Sequence, residues 1–566
     1  MSHGAAIGVA EPIAGVVYPP PERLRRYVEA GVLPRTTLAE ALVQSLARHA
    51  ARVALHTPQG SMSYAALDAR TDRLAAAFLA LGLEPLDRVL IQSANHAEVV
   101  LALVACFKAG LIPVCTLAAH RESEIGYLGR HTDARLHLVQ GDDPKFDLVA
   151  FAQRMQPTIP TMACVVAIGG PARADVPRTD DLVERTDAAQ ARAVLATVPR
   201  DPFQAAIFQL SGGTTGVPKV IPRMQNDYLL NAQLTAAHLG YRQDDVLFMP
   251  MPMTHNACMM CFLLPLLLTG ASFVIPSDNT AEAWAAAFRA TPPTVVGMVR
   301  ALLPRYDQML GLDATLARDV RLFWAPDASA LVRRKYGVLA YPLFGMTEGM
   351  NMYTAADDAV EARDETVGRP LSPHDEIRLV EPGTDREVGP GEIGELTVRG
   401  PYTIAGYFNT PERNREAFSQ DGFYRTGDLM VCRTIGGRPC YAFAGRTKDI
   451  VNRGHEKISC EELEQAIVQH PDVADCAAVP MPDPVLGERT CVYVVAKPGR
   501  GLPTVAALGE FLQARGLARF KWPERVEAIA ALPLTRVGKL DKAALRKRIT
   551  LVLRDEAATK PKETVS

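Results

Sequence analysis

Leu210-Ser211-Gly212-Gly213-Thr214-Thr215-Gly216-Val217-Pro218-Lys219 places three glycines, three hydroxyls and a lysine within ten residues. Apolar runs flank it, Ala205-Ala206-Ile207-Phe208 before and Val220-Ile221-Pro222 after, which predicts a loop joining two strands. Such a loop suits phosphate. Glycines let backbone N–H groups approach an anion, hydroxyls donate to its oxygens, and a lysine adds a mobile positive charge. A surface hairpin rich in turn residues has the same composition, so the rest of the chain must separate the two. A Walker loop needs Gly-Lys followed by Ser or Thr, whereas Lys219 lies between Pro218 and Val220, and the glycines miss the G-x-G-x-x-G spacing. Both absences argue against a kinase or a dinucleotide oxidoreductase.

The surrounding pattern is α/β. Leu67, Leu74, Phe78 and Leu81 recur at helical spacing after Tyr64, Gly82 closes the helix, and Arg88-Val89-Leu90-Ile91 forms a strand. A second helix from about His96 to Lys108 ends at Gly110, and a strand begins at Leu111. Further strands are expected at 246–249 and 294–297. This alternation predicts βαβ units with parallel sheets. After Gly389 the period changes to two, in Glu392-Ile393-Gly394-Glu395-Leu396-Thr397-Val398-Arg399-Gly400, which predicts antiparallel strands and a compact barrel-like subdomain over about 370–447. A separate α+β segment follows, with a helix at Cys460 to His470 and a strand at 491–495. The expected division is an N-terminal α/β core over 1–447, a small domain over 448–550 and a polar, unstructured tail over 551–566.

Partners are constrained mainly by what is missing. With 566 residues, a net charge of −2 and no sustained basic run, the chain shows no nucleic-acid or anionic-membrane surface. The N-terminus lacks a secretory pattern, so the cytoplasm is the expected location. Ten scattered cysteines form no disulfide framework, and Cys258-Met259-Met260-Cys261 has no second pair to complete a zinc site. The apolar stretch from Ala257 to Pro276 is broken by Pro265 and Thr269-Gly270, which predicts a buried helix and then a core strand rather than a membrane span.

Five further segments share one pattern with the loop: Phe344-Gly345-Met346-Thr347-Glu348-Gly349, Tyr424-Arg425-Thr426-Gly427-Asp428, Gly445-Arg446-Thr447-Lys448-Asp449-Ile450, Asn452-Arg453-Gly454-His455-Glu456-Lys457-Ile458, and Pro533-Leu534-Thr535-Arg536-Val537-Gly538-Lys539-Leu540-Asp541. In this order they resemble the motifs of the adenylate-forming superfamily, which includes acyl-CoA and aryl-CoA synthetases, peptide-synthetase adenylation domains and luciferases. The resemblance spans most of the chain. It implies ATP and Mg2+, with Ser211, Gly212, Gly213, Thr214, Thr215, Gly216 and Lys219 around the phosphates. It further implies Thr347 on the α-phosphate, Glu348 on the metal, Asp428 on the ribose hydroxyls and Arg446 on the nucleotide. Lys448 becomes the hinge between a large and a small domain, and Lys539 the catalytic lysine. A carboxylate attacks the α-phosphorus, pyrophosphate leaves, and a thiol then takes the acyl group.

Met253-Thr254-His255-Asn256, with Cys261 downstream, resembles the stand-alone aryl-acid ligases of siderophore assembly. That branch implies His255 at the catalytic site and in the acyl pocket, Asn256 on a hydroxyl ortho to the carboxylate, and Cys261 where salicylate-activating members carry Cys. Cys261 also fits a small residue on a buried helix. Three positions depart from the branch: Ala257 replaces an aromatic residue, Ala325-Pro326-Asp327-Ala328 replaces Gly-Gly-Ala, and Asn351 replaces Val or Leu. With Gly345, these outline a pocket for a salicylate-like or a larger, substituted or heteroaromatic acid. The acceptor is the phosphopantetheine of a carrier protein or, alternatively, free CoA. A binding protein that kept the fold and lost catalysis is disfavoured by the presence of Lys539, Glu348 and Asp428.

Overall fold

The computed structural model describes residues 7–211, 218–326, 328–453, 456–515, 517, 519–535 and 539–559. The chain divides into two compact units. One comprises Met1–Ser211, Val217–Glu376 and Val398–Tyr424; the other comprises Gly212–Gly216, Ile377–Thr397 and Arg425–Ser566.

The first unit is built on two largely parallel sheets. One has the strand order Cys164–Ile168, Ala134–Gln140, Arg88–Gln92, Ile112–Cys115, Ala205–Leu210, Val220–Met224, parallel except for its last pair. The other has seven strands, with Val246–Phe248, Ser272–Val274, Val295–Gly297 and Leu322–Trp324 at its centre. Their apolar residues are buried nearly continuously, as parallel strands covered on both faces require. Ser63 caps the helix Tyr64–Ala80 by accepting from the Ala66 N–H, and the helix Ala97–Ala109 ends at Gly110 with φ of 71°. A left-handed residue there costs glycine little and satisfies the last turn.

The long apolar stretch folds as expected. Asn256–Cys258 begins a helix that widens into a π-helical turn over Met259–Leu263, continues as Leu264–Thr269 and gives way to the strand Ser272–Val274. Among the described residues no helix is long and apolar enough to cross a membrane.

The period-two segment becomes the strand Ile393–Arg399. It lies second in a four-stranded sheet after Glu376–Val380 and before the antiparallel hairpin Tyr424–Ile435 and Arg438–Arg446. In the second unit, Val451, Ile458, Leu463, Ile467, Val492 and Leu508 share one core. Two expectations about the domains change. Much of the β-rich stretch groups with the chain's end rather than with residues 1–447, and within that unit the Ser459 hydroxyl donates to the Ala444 carbonyl at 2.8 Å, joining the start of the helix Cys460–Ile467 to the strand Arg438–Arg446. The segment expected to be unstructured from 551 is helical as far as Thr559, within the helix Lys542–Thr559, where Leu545 and Ile549 are buried in a second apolar cluster.

Candidate functional site

The phosphate-type loop springs from the antiparallel pair that closes the six-stranded sheet. Leu210 pairs with Val220, and the Ser211 N–H donates to the Lys219 carbonyl at 3.2 Å, so the loop has a fixed neck. Ser211 Oγ is buried without a hydrogen-bond partner among the described residues. A buried hydroxyl of this kind is unfavourable unless something supplies the missing partner. Gly212, Gly213, Thr214, Thr215 and Gly216 lie outside the described residues.

Lys219 reaches a second element. Its Nζ donates to the Tyr407 hydroxyl at 3.1 Å and lies 4.6 Å from the centroid of that ring. Tyr407 in turn donates to Glu348 Oε1 at 2.6 Å, and the Tyr424 hydroxyl lies 3.1 Å from the same oxygen. Burial and the neighbouring carboxylate push the Tyr407 phenol far up, so it stays protonated and donates. Glu348 is only 7% exposed. Both phenols address Oε1, and among the described residues no donor engages Oε2. The arrangement fits Mg2+, a hard cation that takes one or two carboxylates and completes its shell with phosphate and water. It offers no all-protein cage, since no group of three metal-ligating side chains occurs among the described residues.

The turn bearing Glu348 is braced from inside. Leu343–Gly345 pairs with Asn351–Tyr353, and Gly349 has φ of 144° with the Tyr402 carbonyl 2.2 Å from where a Cβ would sit, so no side chain fits there. Arg223 is fully buried. It pairs with Asp227 and donates to the Thr347 and Tyr402 carbonyls, each at 3.1 Å. One guanidinium thus fixes the Thr347 carbonyl while Asp227 and the Tyr402 carbonyl hold the guanidinium in place.

The expected acyl-binding residues come from the helix that begins at Asn256. His255 caps it, accepting from the Ala257 N–H at Nδ1 over 3.1 Å. That bond assigns the proton of the neutral ring to Nε2. Asn256 Oδ1 accepts from the Tyr228 hydroxyl at 2.9 Å, and Tyr228 accepts from Gln209 at 3.0 Å. Cys261 lies in the π-helical turn with Sγ 3.6 Å from the Tyr353 hydroxyl, which also accepts from Trp324 Nε1 at 3.2 Å. Burial pushes the thiol up to about 12, so Cys261 is a neutral weak donor rather than a nucleophile. Ala257 is half-buried against the main core. Asn351 is buried beside Gly345 and donates one N–H to Asn231, so part of its amide is already engaged. The pocket thus holds less unpaired polar capacity than the sequence suggests. Asp327 lies outside the described residues.

In the second unit, Asp428 and Arg446 face each other across the hairpin in register. Arg446 Nε donates to Asp428 Oδ1 at 2.8 Å, while the Asp428 N–H donates to Thr426 Oγ1 at 3.0 Å. Asp428 is buried at 5% exposure, with Arg446 held against its carboxylate. Lys448 lies in a single 3₁₀ turn, Thr447–Asp449, immediately after that hairpin, and its side chain lies outside the described residues. Lys539 is exposed. Its N–H donates to Thr535 Oγ1 at 3.1 Å and its carbonyl accepts from the Thr535 N–H at 2.6 Å, beside the Leu534–Leu540 bridge.

Tyr407, Asn231 and the bracing role of Arg223 escape sequence reasoning. One signal is visible afterwards: Arg223 and Asp227 are charged residues four apart at the junction of an apolar strand and a largely buried helix, a spacing that pairs them.

Residues 42–408 match the family described as AMP-binding enzyme, and residues 462–539 match the AMP-binding enzyme C-terminal domain. Pyochelin synthase PchD of Pseudomonas aeruginosa is 39% identical over 534 residues, covering 93% of this chain and 95% of its own. The salicyl-AMP ligase / salicyl-S-ArCP synthetase of Mycobacterium tuberculosis is 36% identical over 552 residues, covering 95% of each. Among solved structures, apo MbtA of Mycobacterium smegmatis is 34% identical with a TM-score of 0.71, over 94% of this chain and 99% of that one.

Proposed function

Since this chain belongs to the AMP-binding enzyme family, we propose that it activates an aryl carboxylic acid with ATP and passes the acyl group to the phosphopantetheine thiol of a carrier protein. The observation that carries this reading is the clamp on Glu348, a buried carboxylate with one oxygen held by two phenols and the other left for a cation. The relative described as a salicyl-AMP ligase and salicyl-S-ArCP synthetase supports the acid class and the acceptor.

The chemistry follows from charge. A carboxylate oxygen bonds to the α-phosphorus, the bond to the bridging oxygen breaks, and pyrophosphate carries the electron pair away. Two anions must approach, so fixed donors are needed where the charge grows. In this reading Ser211, Gly212, Gly213, Thr214, Thr215 and Gly216 present hydroxyl and amide donors to the leaving phosphates, with Lys219 as their counter-charge. The buried Ser211 hydroxyl, which has no partner among the described residues, supports that reading. Thr347 binds the α-phosphate from a backbone that Arg223 holds still. Bound Mg2+ would screen the phosphate oxygens and polarise the phosphorus, and Glu348 Oε2 would hold it. Asp428 accepts from the ribose hydroxyls, with Arg446 donating to its Oδ1 and facing the nucleotide. Lys539 offsets the charge shared by the attacking carboxylate and the α-phosphate. His255, Asn256, Ala257, Cys261, Asp327, Gly345 and Asn351 shape the acyl pocket. Lys448 is the pivot about which the small domain moves for the thiol step.

The test is acid-dependent pyrophosphate exchange over a panel of aryl acids, followed by thioester assays with a phosphopantetheinylated carrier protein and with CoA. Exchange with aryl acids and faster transfer to the carrier is the expected result. Exchange only with aliphatic or amino acids overturns the acid class, and faster transfer to CoA overturns the acceptor.

A further inference from the structure

Two asparagines behind the Glu348 turn form a chain whose direction is fixed by chemistry. Asn231, buried in the helix Gln225–Leu239, donates from Nδ2 to the Gly349 carbonyl at 3.0 Å. A backbone carbonyl only accepts, so the amide nitrogen of Asn231 must face it and Oδ1 must face the other way. That oxygen accepts from Asn351 Nδ2 at 3.1 Å. Asn351 is thereby oriented as well: one N–H of its nitrogen is used, and turning the amide over would set oxygen against oxygen. The second N–H of Nδ2 and Oδ1 are left over, and it is Oδ1 that stands against Gly345.

This oxygen borders open space. Gly345 is exposed although it ends a strand paired with Asn351–Tyr353, and a Cβ built on Gly345 would lie 2.5 Å from Asn351 Oδ1. Among the described residues no donor reaches that oxygen. The surface over Gly345 is therefore accessible, small enough for a flat ring to approach, and edged by an acceptor that cannot rotate into a donor.

We propose that Asn231 determines specificity by acting through Asn351: the pair fixes an acceptor oxygen beside Gly345, and the acid this chain activates carries an O–H or N–H donor on the ring edge that meets it. This rests on the reading of the protein as an aryl-acid adenylating enzyme with Gly345 and Asn351 at the acyl pocket. It adds the sign of the hydrogen bond. A methyl ether or a bare C–H at the same ring position leaves the acceptor unpaired, and sites built for a hydrogen bond reject such analogues. Asn231 touches no substrate in this account and is a positioning residue.

The experiment measures pyrophosphate exchange of the full-length protein with salicylate, each of its ring-hydroxylated and ring-aminated derivatives, and the matching methyl ethers. At one ring position the donor-bearing acid is expected to exceed its methyl ether by about tenfold or more in kcat/KM. Asn351→Val and Asn231→Leu are each expected to bring that ratio close to unity, whatever they do to absolute rates; Asn231→Leu does so with Asn351 still present. A wild type that shows no preference for a donor over its methyl ether at any position overturns the proposal, without needing either variant to fold. An Asn231→Leu protein that loses activity toward all acids alike, with the ratio intact, also overturns it, because Asn231 is then structural. Absence of exchange with every aryl acid overturns the functional reading and this inference with it. Exchange without discrimination overturns this inference alone.

Discussion

Glu348 and Lys539 carry opposite charges in the proposed reaction and are held in opposite ways. Glu348 is buried on a turn closed by strand pairing, by a glycine that admits no side chain and by a fully buried arginine, with two phenols on one carboxylate oxygen. Lys539 is exposed beside a short bridge in which Thr535 binds its backbone. The difference teaches a division of labour. A group that must present a cation at fixed geometry is preorganised by its shell, where low dielectric makes each interaction stronger. In the proposed reaction Lys539 is needed in only one of two half-reactions, and its exposed position is compatible with that.

The sharpest way to break this contrast is Lys539→Ala. Adenylate formation should fall by on the order of 10² or more, because only that step gathers charge between carboxylate and phosphate. Transfer from a preformed aryl adenylate should stay within a few-fold of wild type. Pyrophosphate exchange and thioester formation from synthetic adenylate measure the two halves separately. Equal loss in both would make Lys539 structural and remove the contrast.

Lys448→Pro tests the other side of the division. Proline fixes φ near −65°, so a 3₁₀ turn that must change its backbone angles is held in one state. Exchange should persist while thioester formation drops by roughly tenfold or more. Unimpaired thioester synthesis would move the pivot elsewhere.

Much of this architecture is legible in the residues, and the omissions have physical causes. Val89-Leu90-Ile91 and Val295-Val296 announce buried parallel strands, since continuous apolar runs are what such strands require. Gly270 separates the buried helix from the strand as expected, whereas Pro265 lies within the helical stretch just after the π-helical turn. The π-helical turn that presents Cys261 left no trace, because an extra residue per turn changes no local propensity. Tyr407 was invisible for a different reason: its partners, Lys219 and Glu348, stand 188 and 59 positions away. Asn351 was legible as a polar residue in an apolar setting, but its satisfaction by Asn231 depends on a helix 120 positions earlier. The helical continuation over 551–559 was missed because its charged positions resemble a solvated tail, while the helix is held by the packing of Leu545 and Ile549 upstream and of Val552 and Leu553 within it.

Tyr407→Phe sharpens the account of the buried side. It deletes a 2.6 Å bond to a carboxylate and the link to Lys219 while keeping the ring. Hydrogen bonds to charged groups contribute about 1.5–3 kcal/mol, so exchange should fall about tenfold and the Mg2+ concentration for half-maximal rate should rise. Titrating Mg2+ in the exchange assay checks this. A rate loss with unchanged Mg2+ dependence would separate the tyrosine from the cation site.

The smallest expected effect lies in the acyl pocket. Ala257 is the second residue of the helix whose cap is His255, and its N–H is already committed to His255 Nδ1, so a larger side chain there keeps the backbone geometry and changes only volume. In the proposed pocket Asn256 and Cys261 would offer an amide and a neutral thiol to an aryl acid with an ortho hydroxyl, and the small Ala257 side chain would leave volume that salicylate does not need. Filling that room is worth roughly what one or two methylenes are worth in an apolar pocket, about 1–3 kcal/mol. Ala257→Tyr should therefore raise the preference for salicylate over larger or nitrogen-bearing aryl acids by about tenfold, mostly by excluding the larger ones. Competition assays with paired acids read this ratio directly. If salicylate is already the best acid of a broad panel and Ala257→Tyr leaves the ranking unchanged, the space beside Ala257 belongs to the core against which it packs and not to the acid.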